Sequence, residues 1–147
     1  MKLTSSVFSH NQSIPDKYGC DGENINPDLR VSEVPEEAES LVLIMDDPDA
    51  PIAESFVHWT LWNIDPATKE ILENSVPPGA VQGQTNFGTS GYGGPCPPSG
   101  EHRYFFRLYA LDKKLDLEEG ATREEIDKAM EGSVIDSTEL IGLYSRD

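Results

Sequence analysis

Residues 41–45 read Leu-Val-Leu-Ile-Met, five apolar side chains in a row that run straight into Asp46-Asp47-Pro48. A run this short is too brief for a helix of ordinary length and has no polar face, so it predicts a strand covered on both sides. Two further runs carry the same stamp. Residues 58–64, His-Trp-Thr-Leu-Trp-Asn-Ile, are stopped by Asp65-Pro66, and residues 104–111, Tyr-Phe-Phe-Arg-Leu-Tyr-Ala-Leu, are rich in aromatic rings. Residues 140–144, Leu-Ile-Gly-Leu-Tyr, read as a final strand. One helix has a clear start: Thr122 and Glu125 form a capping-box pattern, Ile126, Ala129 and Met130 make one apolar stripe, and Gly132 ends it. Several strands, long irregular loops and one or two short helices near the C-terminus predict a mainly β fold. The expected form is a two-sheet antiparallel sandwich rather than alternating βαβ units.

At 147 residues the chain is expected to form a single domain, residues 1–147, with a real hydrophobic core. No repeat or low-complexity tract interrupts it. The net charge is −16, from 11 basic and 27 acidic side chains. Such a surface repels nucleic acid and anionic lipid, so neither is an expected partner, and a phosphate site would have to be a local exception. Residues 1–10 hold no apolar signal core, and no run approaches the ~20 apolar residues that span a bilayer. The expectation is a cytoplasmic protein without integral membrane association. Cys20 and Cys96 could form one bridge, but two free, partly buried thiols are the plainer reading for such a chain.

Polar chemistry concentrates in two places. One is Met45-Asp46-Asp47-Pro48-Asp49-Ala50-Pro51 with Phe56-Val57-His58-Trp59 just after it. The other is residues 91–104, Gly-Tyr-Gly-Gly-Pro-Cys-Pro-Pro-Ser-Gly-Glu-His-Arg-Tyr. Two of the three histidines, His58 and His102, lie there. His102, Tyr104 and Phe106 share one strand face if the strand starts by Glu101. Gly88, Gly91, Gly93 and Gly94 let backbone N–H groups turn toward a ligand, and Pro95, Pro97 and Pro98 stiffen the loop. Asp46, Asp47 and Asp49 are close enough to repel, so each needs a partner. A calcium loop is excluded: counted from Asp47, the sixth and twelfth positions are Ile52 and His58, not Gly and Glu. A metal bound by Asp47, His58 and His102 is conceivable but not expected. No Walker, dinucleotide or Gly-x-Ser-x-Gly pattern is present. Cys96 as a nucleophile with His102 as base is less plausible than Cys96 as a small packing residue.

Asp47-Pro48-Asp49-Ala50-Pro51, His58, Gly94-Pro95 and His102-Arg103-Tyr104, taken in this order, resemble the phosphatidylethanolamine-binding protein family. The Gly-Tyr-Gly-Gly-Pro-Cys-Pro-Pro loop and the aromatic run after it are similar to its bacterial and archaeal, Raf-kinase-inhibitor-like branch. The resemblance implies a Greek-key sandwich with an anion pocket at one end that takes phosphate or a phosphorylated head group. It assigns ligand binding to Asp47, His58, Gly94, Pro95, His102 and Tyr104, with Asp49 supporting them. It implies no cofactor, no metal and no catalytic residues. The partner is a small anion or phosphorylated ligand, or alternatively a protein kinase or serine protease that the chain inhibits by docking. A hydrolase using His58, His102 and Asp47 is a third, weaker reading. Compared with animal members the chain stops early, at Asp147, so a more open pocket mouth is expected, and its loop over residues 97–102 is short beside many bacterial relatives.

Overall fold

The computed structural model describes residues 1–52 and 54–146. Two sheets form. The smaller has β1 (Lys2–Thr4), β3 (Leu29–Ser32) and β6 (Glu70–Ile71), in the order β1-β3-β6. The larger has β2 (Gln12–Ser13), β4 (Ser40–Asp47), β5 (Phe56–Ile64), β7 (Val81–Gln82), β8 (Gly100–Leu111) and β9 (Val134–Arg146). Its order is β2-β9-β8-β4-β5-β7. β4 and β5 are joined directly, and the chain then makes a long return to place β8 on the other side of β4. The one α-helix among the described residues, α1 (Arg123–Met130), lies between β8 and β9 in sequence.

The apolar run of residues 41–45 becomes the centre of the molecule because both of its faces are covered. All eight residues of β4 are buried. On one side Leu41, Leu43 and Met45 pack with Trp59, Leu61 and Phe106 against Leu3, Leu29, Val31 and Ile71 from the smaller-sheet side. On the other, Val42 and Ile44 join Trp62, Leu111, Ile126 and Met130 beneath the helix. Each fully buried aliphatic side chain here contributes about 1.5–3 kcal/mol of transfer free energy. The helix starts as its sequence dictates. The Thr122 hydroxyl accepts the Glu125 N–H, and the Glu125 carboxylate accepts the Thr122 N–H, which satisfies two amides that lack helical partners.

The last strand is much longer than residues 140–144. It pairs with β8 from Gly100↔Arg146 to Leu111↔Val134. Its first half is mostly exposed and carries Asp136, Ser137, Thr138 and Glu139, so backbone pairing rather than an apolar pattern makes it a strand. The large sheet is also not wholly antiparallel. β2 runs parallel to β9, with the Asn11 and Ile14 N–H groups bonded to the Ile141 and Leu143 carbonyls. This short N-terminal segment covers the outer edge of β9, which would otherwise offer unpaired backbone groups.

Candidate functional site

The ends of β4, β5 and β8 converge with the loop of residues 91–97, and a fault in the sheet decides what they present. β5 pairs with β4 as Met45↔Trp59 and then Asp46↔Val57, so His58 is an extra residue opposite no β4 partner. Strict alternation would put His58 on the helix side with Thr60 and Trp62. The bulge turns it to the opposite side, as bulges beside functional sites do. His58 therefore meets Tyr104 of β8, ring centroids 5.1 Å apart and edge to face, while Val57 faces a cavity beside α1.

The paired aspartates are separated by the same pleat. Asp47 is buried, accepts the Asp49 N–H at 2.8 Å through Oδ1, and accepts Nδ1–H of His102 at 2.7 Å through Oδ2. Asp46 faces the helix, where it receives Nε of Arg107 at 2.9 Å and Nη1 of Arg123 at 3.1 Å. Asp49 takes three bonds from Arg103: the backbone N–H, Nε and Nη2, each at 2.9 Å. The Arg103 guanidinium holds the Asp49 carboxyl down at about 2. Asp49 thus anchors the residue next to His102 and is not itself in the concavity. The repulsion expected among the three carboxylates is relieved because each has its own separate set of cationic or N–H partners.

His58 is held from the loop. Its Nδ1–H donates to the Gly93 carbonyl at 2.7 Å, and the Gly93 N–H donates back to the His58 carbonyl at 2.9 Å. Burial pushes the His58 pKa below its ordinary value, only partly opposed by the Gly93 carbonyl and Asp47. With Nδ1 protonated, the neutral ring keeps its lone pair on Nε2. His102 is likewise fixed through Nδ1–H, which is committed to Asp47. Between them lies Tyr104, fully buried, whose hydroxyl reaches no partner in full hydrogen-bond geometry although the Asp47 carboxylate and the Cys96 N–H lie beside it. Burial first, then the charge of Asp47, raises the pKa of that phenol far above the ordinary value.

The loop departs from expectation in one respect. Three of its four glycine N–H groups are bonded within the protein. Gly93 N–H is taken by His58, Gly94 N–H by the Asn24 side chain at 2.7 Å, and Gly88 N–H by the Thr85 carbonyl. The need for glycine at position 94 is close approach: a Cβ there would run into the Tyr18 carbonyl oxygen. The Pro95 carbonyl is likewise engaged, by the Cys20 N–H at 3.0 Å. Gly94 and Pro95 therefore act as wall and not as donors. The free-thiol reading of the cysteines is also overturned. Cys20 and Cys96 form a disulfide, Cα atoms 5.4 Å apart, that ties the turn of residues 15–24 to this wall. A separation of 76 residues hides such proximity from the sequence.

Two residues of the site carried no signal that strand reasoning could use. Phe56 and Phe87 pack on His58 at 4.9 and 5.3 Å between centroids, and Phe87 is 45% exposed. They make an aromatic rim around the imidazole. A hollow of about 790 Å³ lies elsewhere, between β5 and the start of α1, and is lined by Val57, Asn86, Thr122 and Arg123. His58, His102, Tyr104 and Asp47 are all buried. No three His, Cys, Asp or Glu side chains are grouped to hold a metal ion among the described residues. No helix among them is long and apolar enough to cross a membrane.

The family model for phosphatidylethanolamine-binding proteins matches residues 4–145. The chain belongs to the phosphatidylethanolamine-binding protein family. Within that family it is 53% identical to a UPF0098 protein of Methanothermobacter thermautotrophicus, over 99% of both chains. A crystal structure of a phosphatidylethanolamine-binding protein homologue, CT736 of Chlamydia trachomatis, superposes with a TM-score of 0.94 at 45% identity, covering 99% of this chain and 97% of that one. The structure of Escherichia coli YbcL, a further family member, gives 0.93 at 28% identity over 99% of this chain and 98% of its own. The mainly β, two-sheet sandwich expected from the sequence is thus the family's fold.

Proposed function

We propose that this family member is a non-enzymatic binding protein whose concavity of His58, His102, Tyr104 and Asp47 takes a small anion, phosphate or a phosphorylated head group. The observation that carries this reading is the Tyr104 hydroxyl. A buried O–H without a partner costs about 1–3 kcal/mol, a penalty that a bound acceptor would remove. The imidazoles complete the site. Each has Nδ1–H committed, so protonation adds a donor at Nε2, aimed by a fixed ring. A charge-assisted bond from such an imidazolium contributes about 1.5–3 kcal/mol. Asp47 orients the His102 ring through the Nδ1–H bond. Because the Gly93 and Gly94 N–H groups are already engaged, the side chains would provide most of the donors.

Phosphate titration followed by NMR at His58 and Tyr104 tests this. The reading expects saturable shifts in the wild type and none in His58→Ala. Saturable binding with unchanged affinity in His58→Ala would refute it.

A second reading, docking on a protein kinase or serine protease, is favoured by one feature. The loop that carries Cys96 is stapled at its base and exposes Pro98, Ser99 and Gly100 at its tip. Such a pre-ordered loop loses little entropy on contact. This reading expects inhibition that survives Tyr104→Phe but is lost when Pro98 and Ser99 are both replaced by glycine. The disulfide removes Cys96 as a nucleophile and leaves the weaker hydrolase reading to His58, His102 and Asp47 alone. That reading would be supported by turnover of a chromogenic phosphoester that disappears in His102→Ala.

A further inference from the structure

The disulfide sits where it could govern the pocket. Cys20 and Cys96 are both only partly buried, so a small thiol can reach them. Nη1 of Arg146, at the end of β9, lies 3.2 Å from the Cys96 sulfur. The same guanidinium is gripped by both oxygens of Asp21, at 3.0 and 3.1 Å, which fixes it in place and partly offsets its charge. A cation held against one sulfur and not the other makes the two ends chemically unequal, because it stabilises the thiolate at that sulfur. On the far side of the bond, the wall next to Cys96 is the segment that holds His58: Gly93 is hydrogen-bonded to it in both directions.

We propose that Cys20–Cys96 is a thiol–disulfide exchange site from which Cys96 departs as a thiolate against Arg146, and that its redox state sets the rigidity of the pocket wall. The second half rests on the anion-binding reading above. The reductant is a dithiol. Its first thiolate attacks the Cys20 sulfur, the Cys20–Cys96 bond breaks, and its electron pair leaves on Cys96. The second thiol of the reductant, after losing its proton, attacks the reductant's own sulfur in the mixed disulfide. That step releases Cys20, which takes up a proton. Two electrons pass to the protein. Of the two thiol protons given up by the reductant, one ends on Cys20 and one goes to solvent while Cys96 remains a thiolate. After reduction the wall is still bonded to its neighbour by Cys20 N–H to Pro95, Gly94 N–H to Asn24 and Tyr92 O–H to the Tyr18 carbonyl. The wall loosens and does not detach, so binding weakens by loss of pre-organisation rather than by loss of the site.

The test has two arms on the intact oxidised chain. In the first, brief exposure to glutathione without denaturant, an acid quench and peptide mass analysis locate the mixed disulfide. It is expected on Cys20, with Cys96 free. Reduction by dithiothreitol should slow about threefold in Arg146→Gln for each unit by which the Cys96 pKa rises, and return to near the wild-type rate in Arg146→Lys. Glutathione found on Cys96, a bond that resists millimolar dithiol in the folded protein, or an Arg146→Gln rate equal to wild type would each overturn the exchange site. In the second arm, inorganic phosphate is titrated into the oxidised protein and into the Cys20→Ser/Cys96→Ser double variant. The dissociation constant should rise about threefold or more in the variant. Equal affinities would overturn the coupling. Absence of phosphate binding in both forms would refute the pocket reading and the coupling with it, with the exchange site decided by the first arm.

Discussion

Asp46 and Asp47 are adjacent in sequence and serve opposite faces of the large sheet. Asp46 binds Arg107 and Arg123 beneath the helix, and Asp47 binds His102 in the candidate pocket. Their substitutions should therefore separate. Asp46→Asn leaves two arginines without their shared buried carboxylate, and because both are partly exposed the expected loss is ~1–3 kcal/mol of stability. Its effect on phosphate affinity should be small. Asp47→Asn should do the reverse: modest loss of stability, and weaker phosphate binding as His102 loses its orienting charge. Denaturant melts and phosphate titrations of both variants check this, and a matched profile for the two would contradict it.

The pH dependence of binding follows from His58. Burial depresses its pKa in the folded protein, so the free ring is neutral at pH 7. A bound anion stabilises the imidazolium, so binding draws a proton, and affinity should rise as the pH is lowered and fall as it is raised. Sulfate, whose charge is constant over this range, is a cleaner probe than phosphate. Titration calorimetry at pH 5.5 and 8 should show tighter binding at the lower pH together with proton uptake.

The same shift has a consequence for stability. A histidine depressed on folding binds fewer protons in the native than in the unfolded state once the pH falls below the ordinary histidine value. The contribution of His58 is thus fully present above that value and is lost as the pH falls toward the native one. The pocket anion should restore it. Thermal melts with and without sulfate should differ more at pH 5.5 than at pH 8.

Gly94→Ala places a methyl group against the Tyr18 carbonyl, a backbone atom with little freedom to retreat. The loop must shift, straining the Asn24 bond and the disulfide beside it. A loss of ~1–3 kcal/mol is expected. An amide exchange measurement should locate the loosening in residues 91–97 and in the facing turn of residues 15–24.

What could be read from the sequence was set by burial and by local bonding. Residues 41–45 announce themselves because both faces of β4 are covered, and the helix start is legible because Thr122 and Glu125 satisfy each other across three residues. His102 and Tyr104 are placed correctly by simple alternation along β8. His58 is not, because the bulge depends on the register with β4, which no pattern within β5 encodes. The engagement of the loop amides by Asn24 and His58, and the Cys20–Cys96 bond, join segments distant in the chain and leave no local trace. The first half of β9 was hidden because its exposed polar side chains look like those of a loop.

Tyr104→Phe tests the role of the Tyr104 hydroxyl in both directions at once. If that O–H waits for an anion, the ligand-free variant should be at least as stable as wild type, by up to ~1–2 kcal/mol, while its phosphate affinity falls several-fold. A variant that is destabilised without ligand and binds phosphate as tightly as wild type would show that the hydroxyl serves the fold and not a ligand.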